Sequence, residues 1–153
     1  MKKIIKLKLK EALDKKVTKL VSAFPGTGKS HYFRNTSEDV LDSDSSTFDK
    51  TDFPSNYINH IQDNMGKVDV ILISSHDVVR EALVEAGLDF TLIYPDKSLK
   101  DEYLARYKER GNEESFVKLL DTNWDMWLTD VAKQSADKHI VLKSGEFLSD
   151  VIK

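Results

Sequence analysis

A lysine and a serine follow two closely spaced glycines in the stretch Ala23–Ser30, AFPGTGKS. Successive backbone N–H groups in a loop can converge on phosphate oxygens when no side chain blocks the approach, and Gly26 and Gly28 have no side chain to do so. Lys29 would place an ammonium group near the β- and γ-phosphates, and the Ser30 hydroxyl would bind Mg²⁺. The pattern predicts a loop that binds ATP with Mg²⁺. The predicted nucleotide-binding residues are Pro25, Gly26, Thr27, Gly28, Lys29 and Ser30.

One residue of this loop departs from the usual spacing G-x-x-x-x-G-K-[ST], because Ala23 stands where the first glycine is expected. Alanine is the smallest alternative and fits if φ is negative. The apolar run that includes Leu20 and Val21 predicts a strand before the loop, and a short helix is expected over 29–34. This context favours a phosphate loop over a chance Gly-Lys-Ser in an ordinary loop.

Two aspartates, Asp42 and Asp44, follow Val40 and Leu41, which predict a short strand. Side chains two residues apart on an extended chain share a face, so both carboxylates can point into one cavity. Neighbouring carboxylates repel each other unless a cation or a substrate donor lies between them. Asp42 and Asp44 are therefore candidates for the surroundings of Mg²⁺ and for a base near an accepting oxygen. The alternative is an Asp- and Ser-rich turn that caps a helix.

Candidate acceptor contacts follow the aliphatic run 68–75, which predicts a strand buried on both faces of a parallel sheet. Ser75, His76 and Arg80 would lie at the carboxyl edge of that sheet, where open α/β folds bind ligands. Arg80 is one helical turn from His76, so both could face one anionic group. A helix-start role for His76 and a solvated helix face for Arg80 remain open alternatives.

A basic cluster of Arg106, Lys108 and Arg110 ends the helix that is expected after the strand 88–94. Helix C-termini favour cations in any case. The position also suits a lid whose arginines close over a transferred phosphoryl group, and this interpretation is favoured for Arg106 and Arg110.

Composition restricts the class of protein. The 153 residues are 40% hydrophobic and 32% charged, which suits one domain with its own core over 1–153. The formal charge of −3 argues against broad coating of nucleic acid, and the absence of cysteine excludes disulfides and thiolate chemistry. No apolar run approaches the roughly 18 residues of a spanning helix. A cytoplasmic protein without membrane contact is expected.

The elements that must position these residues are five predicted strands alternating with helices. They predict an α/β fold of three layers, α/β/α, with a five-stranded, mostly parallel sheet. An acceptor-binding segment is expected at about 42–66 and a helical lid at about 96–125. The lysine-rich residues 1–16 predict a lead-in segment at the sheet edge or, less favourably, a basic binding arm. For the helical region 113–133, the predicted core residues are Phe116, Leu119, Leu120, Trp127 and Val131, and the predicted solvated acids are Asp121, Asp125 and Asp130.

Four stretches together resemble a known family: AFPGTGKS at 23–30, LDSDSS at 41–46, ISSHDVVREAL at 73–83 and YLARYKERGN at 103–112. With them the chain resembles the nucleoside monophosphate kinase branch of P-loop proteins, and more closely the small nucleotide kinases carried by bacteriophages. The resemblance implies a P-loop NTPase fold and Mg²⁺-dependent phosphoryl transfer from ATP to a nucleoside or deoxynucleoside monophosphate. If the chain is phage-encoded, it would act in the host cytoplasm.

The resemblance also implies a division of roles. Residues 26–30 would hold the donor phosphates and Mg²⁺, with Lys29 on the phosphates and Ser30 on the metal. Asp42 and Asp44 would organise the water shell of the metal or orient the acceptor, and which of the two does which stays open. Of the arginines, Arg80 would bind the acceptor's phosphate, whereas Arg106 and Arg110 would neutralise charge on the moving phosphoryl group.

Two alternatives stay open. A kinase could act on a hydroxyl of a nucleoside, a small molecule or a polynucleotide 5′ end, with Asp42 or Asp44 as base, and nucleic acid is expected as a partner only in that case. A nucleotide-binding module without catalysis is favoured by Ser74 and Ser75, which stand where many P-loop ATPases have an acidic residue.

Overall fold

The computed structural model describes residues 17–152, and the predictions for residues 1–16 lie outside the described residues. Within this range, strands and helices alternate. The strands are β1 (Lys19–Ala23), β2 (Val40–Ser43), β3 (Val70–Ser74), β4 (Thr91–Pro95) and β5 (Lys138–Leu142). The helices are α1 (Lys29–Asn35), α2 (Ser55–Asn64), α3 (Asp77–Glu85), α4 (Lys100–Glu109), α5 (Glu114–Lys133) and α6 (Leu148–Val151), with short 3₁₀ turns at Ser45–Thr47 and Lys97–Leu99.

The five strands form one parallel sheet in the order β2-β3-β1-β4-β5. The central strand, β1, pairs with β3 through Val21 and Leu72 and with β4 through Ala23 and Ile93. Because all strands are parallel, their carboxyl ends lie at one edge of the sheet. The loop that follows β1 therefore leaves the sheet between the ends of β3 and β4. This is the place where open α/β sheets commonly bind ligands.

Helices cover both faces of the sheet, because alternate side chains of each strand enter two different cores. Leu20 and Phe24 of the β1 segment pack with α2, α3, α4 and α5. Val21 and Ala23 pack on the other face with α1 and α6. The expected α/β class, the five-stranded parallel sheet and the three layers are confirmed.

The helical region after α4 differs from its prediction in one core residue. Residues 114–133 form a single helix, in which Trp124 is fully buried against the rings of Phe24 and Tyr103. Leu119, predicted as core, is 50% exposed, because it lies on the opposite face of α5 from Leu120 and Trp124. No helix among residues 17–152 is both long enough and apolar enough to cross a membrane.

Candidate functional site

The loop between β1 and α1 depends on two glycines. Gly26 has φ of 85° and Gly28 has φ of 95°, a region that L side chains rarely adopt. A β-carbon at Gly26 would lie 2.6 Å from Cε1 of Tyr107, and one at Gly28 would lie 3.1 Å from Cδ1 of Phe147. Glycine is therefore required at Gly26 by both backbone conformation and space.

The carbonyl groups of this loop are held by the protein. The Tyr107 hydroxyl donates to the Pro25 carbonyl at 2.7 Å, and Arg106 Nη1 donates to the Gly26 carbonyl at 2.7 Å. The buried Thr27 uses its hydroxyl to donate to the Phe24 carbonyl at 2.7 Å. The N–H groups of residues 26–28 donate to no other residue in the described part of the chain. The loop therefore turns its carbonyls toward the fold and leaves consecutive donors unused.

Lys29, the first residue of α1, brings a cation to this loop. Burial lowers the pKa of its ammonium, Asp42 and Asp44 oppose that shift, and Arg110 adds to it. The two carboxylates and the Arg110 guanidinium therefore lie close enough to Lys29 to influence its charge. Three of the other four predicted catalytic residues, Asp42, Asp44 and Arg110, therefore lie within electrostatic range of Lys29.

Asp42 and Asp44 are both exposed at the end of β2, with the buried Ser43 between them. The pKa of Asp44 is lowered, first by the hydrogen bond from the Ser46 N–H, which is 2.9 Å long, and further by Lys29 and His76. Asp44 is thus a carboxylate at neutral pH. Its bond to Ser46 also makes it the cap of the 3₁₀ turn, so the capping alternative is confirmed, and the role of Asp44 in a binding site stays a prediction.

Helix α2 fixes the end of the strand that carries these carboxylates. The buried Tyr57 hydroxyl donates to the Ser43 carbonyl at 2.7 Å and accepts the Ser74 N–H at 3.4 Å, which ties the ends of β2 and β3 together. Burial raises the pKa of Tyr57 to about 12. His60 lies 3.1 Å from the Ser43 hydroxyl through Nε2. Both residues come from the predicted acceptor segment, but no pattern in the sequence distinguishes Tyr57 from an ordinary core residue.

Arg80 does not join this group. It is only 3% exposed, and its Nε donates to the Ser75 carbonyl at 2.8 Å. Its Nη1 donates to Gln134 Oε1 at 2.8 Å, and its Nη2 pairs with Asp130 at 2.7 Å. The guanidinium therefore braces α3 against the end of α5. We correct the expected acceptor contact of Arg80. Asp130, expected to be a solvated acid, is 59% exposed and is also the ion-pair partner of Arg80.

The two arginines of the predicted lid have different surroundings. Arg106 stacks between the rings of Tyr103 and Phe147, at 4.2 and 4.3 Å, while it bonds to the Gly26 carbonyl and pairs with Glu102. Arg110, at the end of α4, is exposed and lies near Lys29. Arg106 therefore holds the loop, whereas Arg110 is exposed and free of contacts to the loop carbonyls among the described residues.

Ser30 and His76 are exposed at the same edge, and Ser75 contributes its carbonyl to Arg80. Ser30 in the first turn of α1 and Asp42 at the end of β2 supply oxygen atoms, the donors that Mg²⁺ prefers. Among residues 17–152, no group of three His, Cys, Asp or Glu side chains is arranged to hold a metal ion.

A groove of about 410 Å³ lies elsewhere on the surface, between the start of α2 and the outer face of α3. Its wall includes the acidic side chains Asp77, Glu81, Glu85 and Asp130. This negative charge does not suit a polyphosphate. The phosphate-compatible groups are at the loop, not at this groove.

Comparison with known proteins adds little to this geometry. No family model matches the chain, and no curated protein matches it. One similar solved structure is that of an uncharacterized protein from Eubacterium ventriosum ATCC 27560, with 15% sequence identity and a TM-score of 0.45. The match covers 86% of the present chain and 92% of the Eubacterium chain. Similarity at this level carries no argument about function. The resemblance to nucleoside monophosphate kinases remains a prediction.

Proposed function

We propose that the protein is a Mg²⁺- and ATP-dependent phosphotransferase whose donor phosphates bind the loop Gly26–Ser30. The supporting observation is the position of Lys29, which follows two left-handed glycines and lies within electrostatic range of Asp42, Asp44 and Arg110. Phosphoryl transfer requires positioning and charge neutralisation rather than a nucleophilic side chain. The cluster supplies these requirements, and the P-loop NTPase fold is the architecture to which we assign it.

In this proposal, the unused N–H groups of the loop bind the β- and γ-phosphates, and the Lys29 ammonium lies between those phosphates and the carboxylates. Arg110 approaches from the end of α4 and stabilises the charge of the transferred group. Ser30 and Asp42 would hold Mg²⁺, which would supply further neutralisation of negative charge.

The acceptor that the resemblance implies is a nucleoside or deoxynucleoside monophosphate. A hydroxyl acceptor is a second candidate, and one specific observation favours it: Arg80, the expected ligand of an acceptor phosphate, is buried and bonded to Ser75, Gln134 and Asp130. Asp44 remains beside Lys29 as an ionised carboxylate. In that reaction the acceptor oxygen attacks the γ-phosphorus, its proton passes to Asp44, and the bond to the β-phosphate oxygen breaks to release ADP.

An ADP-release assay with MgATP and a panel of acceptors tests the proposal. The panel contains nucleoside monophosphates, nucleosides and oligonucleotides with a 5′-hydroxyl. We expect ADP release that depends on one acceptor class and is abolished in Lys29→Ala. Lys67→Ala is the matched control, because Lys67 is an exposed lysine just before β3, at the opposite edge of the sheet.

Each outcome is decisive. Stimulation by monophosphates alone supports the nucleotide kinase, and stimulation by hydroxyl acceptors supports the second candidate. ATP binding without acceptor-dependent ADP release would refute both. Full activity in Lys29→Ala would remove the loop from the reaction.

A further inference from the structure

We infer that Tyr107 is a positioning residue for the donor phosphates, acting through the backbone of the loop. This inference rests on the proposed function and adds to it a residue that touches neither ATP nor acceptor. Tyr107 is fully buried in α4, and its hydroxyl donates to the Pro25 carbonyl at 2.7 Å.

The position of this hydrogen bond gives it a specific effect. A peptide unit is planar, so fixing the Pro25 carbonyl also fixes the direction of the Gly26 N–H. The neighbouring peptide is fixed in the same way, because Arg106 Nη1 donates to the Gly26 carbonyl and thereby orients the Thr27 N–H. Helix α4 therefore sets the direction of two consecutive donors of the loop.

The ring of Tyr107 fits this role as well as its hydroxyl does. Its Cε1 lies 2.6 Å from the place where a β-carbon on Gly26 would stand, so the ring packs directly under the loop. Burial raises the pKa of Tyr107, so the phenol keeps its proton and remains a donor across the working pH range. Donors fixed before the ligand arrives lose less entropy on binding and orient the phosphate better.

The chain offers a matched control one helical turn earlier. Tyr103 is also fully buried in α4 and also lies against the loop, but its hydroxyl makes no hydrogen bond to the loop within residues 17–152. Tyr107→Phe and Tyr103→Phe each remove one buried hydroxyl from the same helix. The two variants differ in whether that hydroxyl holds a loop carbonyl.

The first measurement is hydrogen–deuterium exchange of the loop amides, those of residue 24 and residues 26–30, in the ligand-free proteins. We expect faster exchange of these amides in Tyr107→Phe, with Tyr103→Phe close to the unmodified protein. Equal loop exchange in all three proteins would overturn the inference.

The second measurement is calorimetric titration with MgATP at a temperature where all three proteins are folded. A hydrogen bond of this kind is worth about 0.5–1.5 kcal/mol. If the free energy of the Tyr107 hydrogen bond contributes in full to MgATP binding, affinity falls about 2- to 10-fold in Tyr107→Phe and is unchanged in Tyr103→Phe. A merely structural hydroxyl would lower the melting temperature without changing the affinity of the folded protein.

The two possible failures are distinguishable. If the unmodified protein binds MgATP and Tyr107→Phe binds it equally well, the positioning role is refuted and the proposed function stands. If the unmodified protein does not bind MgATP, the proposed function is refuted, and the role of Tyr107 toward phosphates is refuted with it.

Discussion

Replacement of Arg80 by methionine separates a structural arginine from a substrate-binding one. The guanidinium is 3% exposed and donates to the Ser75 carbonyl, Gln134 Oε1 and Asp130 Oδ2. Methionine keeps much of the apolar stem and removes all three donors. We expect Arg80→Met to lower the stability of the fold and to leave the kinetics of the folded protein unchanged.

The magnitude follows from the burial of the two partners. A hydrogen bond from a charged group contributes about 1.5–3 kcal/mol, and removing one partner of a buried ion pair costs about 3–5 kcal/mol. The Asp130 side chain is 59% exposed, so water can solvate its carboxylate once Arg80 is gone. We therefore expect a loss of about 2–4 kcal/mol in the free energy of unfolding.

Urea denaturation followed by circular dichroism measures this loss, provided that the slope of the unfolding free energy against urea concentration is the same in the variant and the unmodified protein. Asp130→Asn is the graded control. It removes the charge but keeps an acceptor oxygen, so it should cost less than about 1 kcal/mol. A change below about 1 kcal/mol in Arg80→Met, together with a tenfold or larger fall in kcat/KM, would refute the structural role and restore Arg80 to the acceptor site.

Three further predictions concern the loop, its lysine and the core. Gly26→Ala should reduce MgATP affinity more than tenfold in a binding titration, because the new β-carbon would overlap the ring of Tyr107. Gly111→Ala is the control, because Gly111 also has positive φ but open space around it. Urea denaturation of this control should show only the conformational cost of about 1–2 kcal/mol. Burial lowers the pKa of Lys29, so its ammonium should lose its proton, and MgATP affinity should fall, at a pH lower than is usual for a lysine. Asp44→Asn removes a negative charge that raises this pKa, so the fall in affinity should occur at a still lower pH. Trp124→Ala should cost about 3–5 kcal/mol in thermal or urea unfolding, because the indole is fully buried and donates to a backbone carbonyl; a cost under about 1 kcal/mol would contradict that packing.

Local patterns in the sequence were sufficient for the elements and for part of the site. The alternation of side chains on an extended chain agrees with the burial at the end of β2, where Asp42 and Asp44 are exposed and Ser43 between them is buried. The apolar runs correctly predicted five strands with helices between them, and two small residues before Lys29 correctly indicated a sharp turn from strand to helix.

Contacts between distant elements were not predictable in the same way. The sequence shows that Arg80 lies on α3, but only the packing of α3 against α5 shows that its guanidinium faces Asp130 and Gln134. Likewise, Arg106 and Arg110 are four residues apart in one basic cluster. Their different roles depend on how α4 lies against the loop, since Arg106 reaches the Gly26 carbonyl and Arg110 reaches the surroundings of Lys29.

In the sequence, Tyr107 stands only as one of the apolar positions of the segment that forms α4. Its hydroxyl becomes informative when Pro25, 82 positions earlier in the chain, is placed beside it. A tyrosine at an apolar position of a helix is expected to bury its ring, but the sequence pattern does not show which residue its hydroxyl will contact.

Calorimetric titration of the unmodified protein and of Lys29→Ala with MgATP tests the central claim, that residues 26–30 bind the phosphates of a donor nucleotide. We predict saturable binding at one site per chain by the unmodified protein and loss of most of that affinity in Lys29→Ala, with the fold intact by circular dichroism. No binding by the unmodified protein, or equal binding by the two proteins, would contradict it.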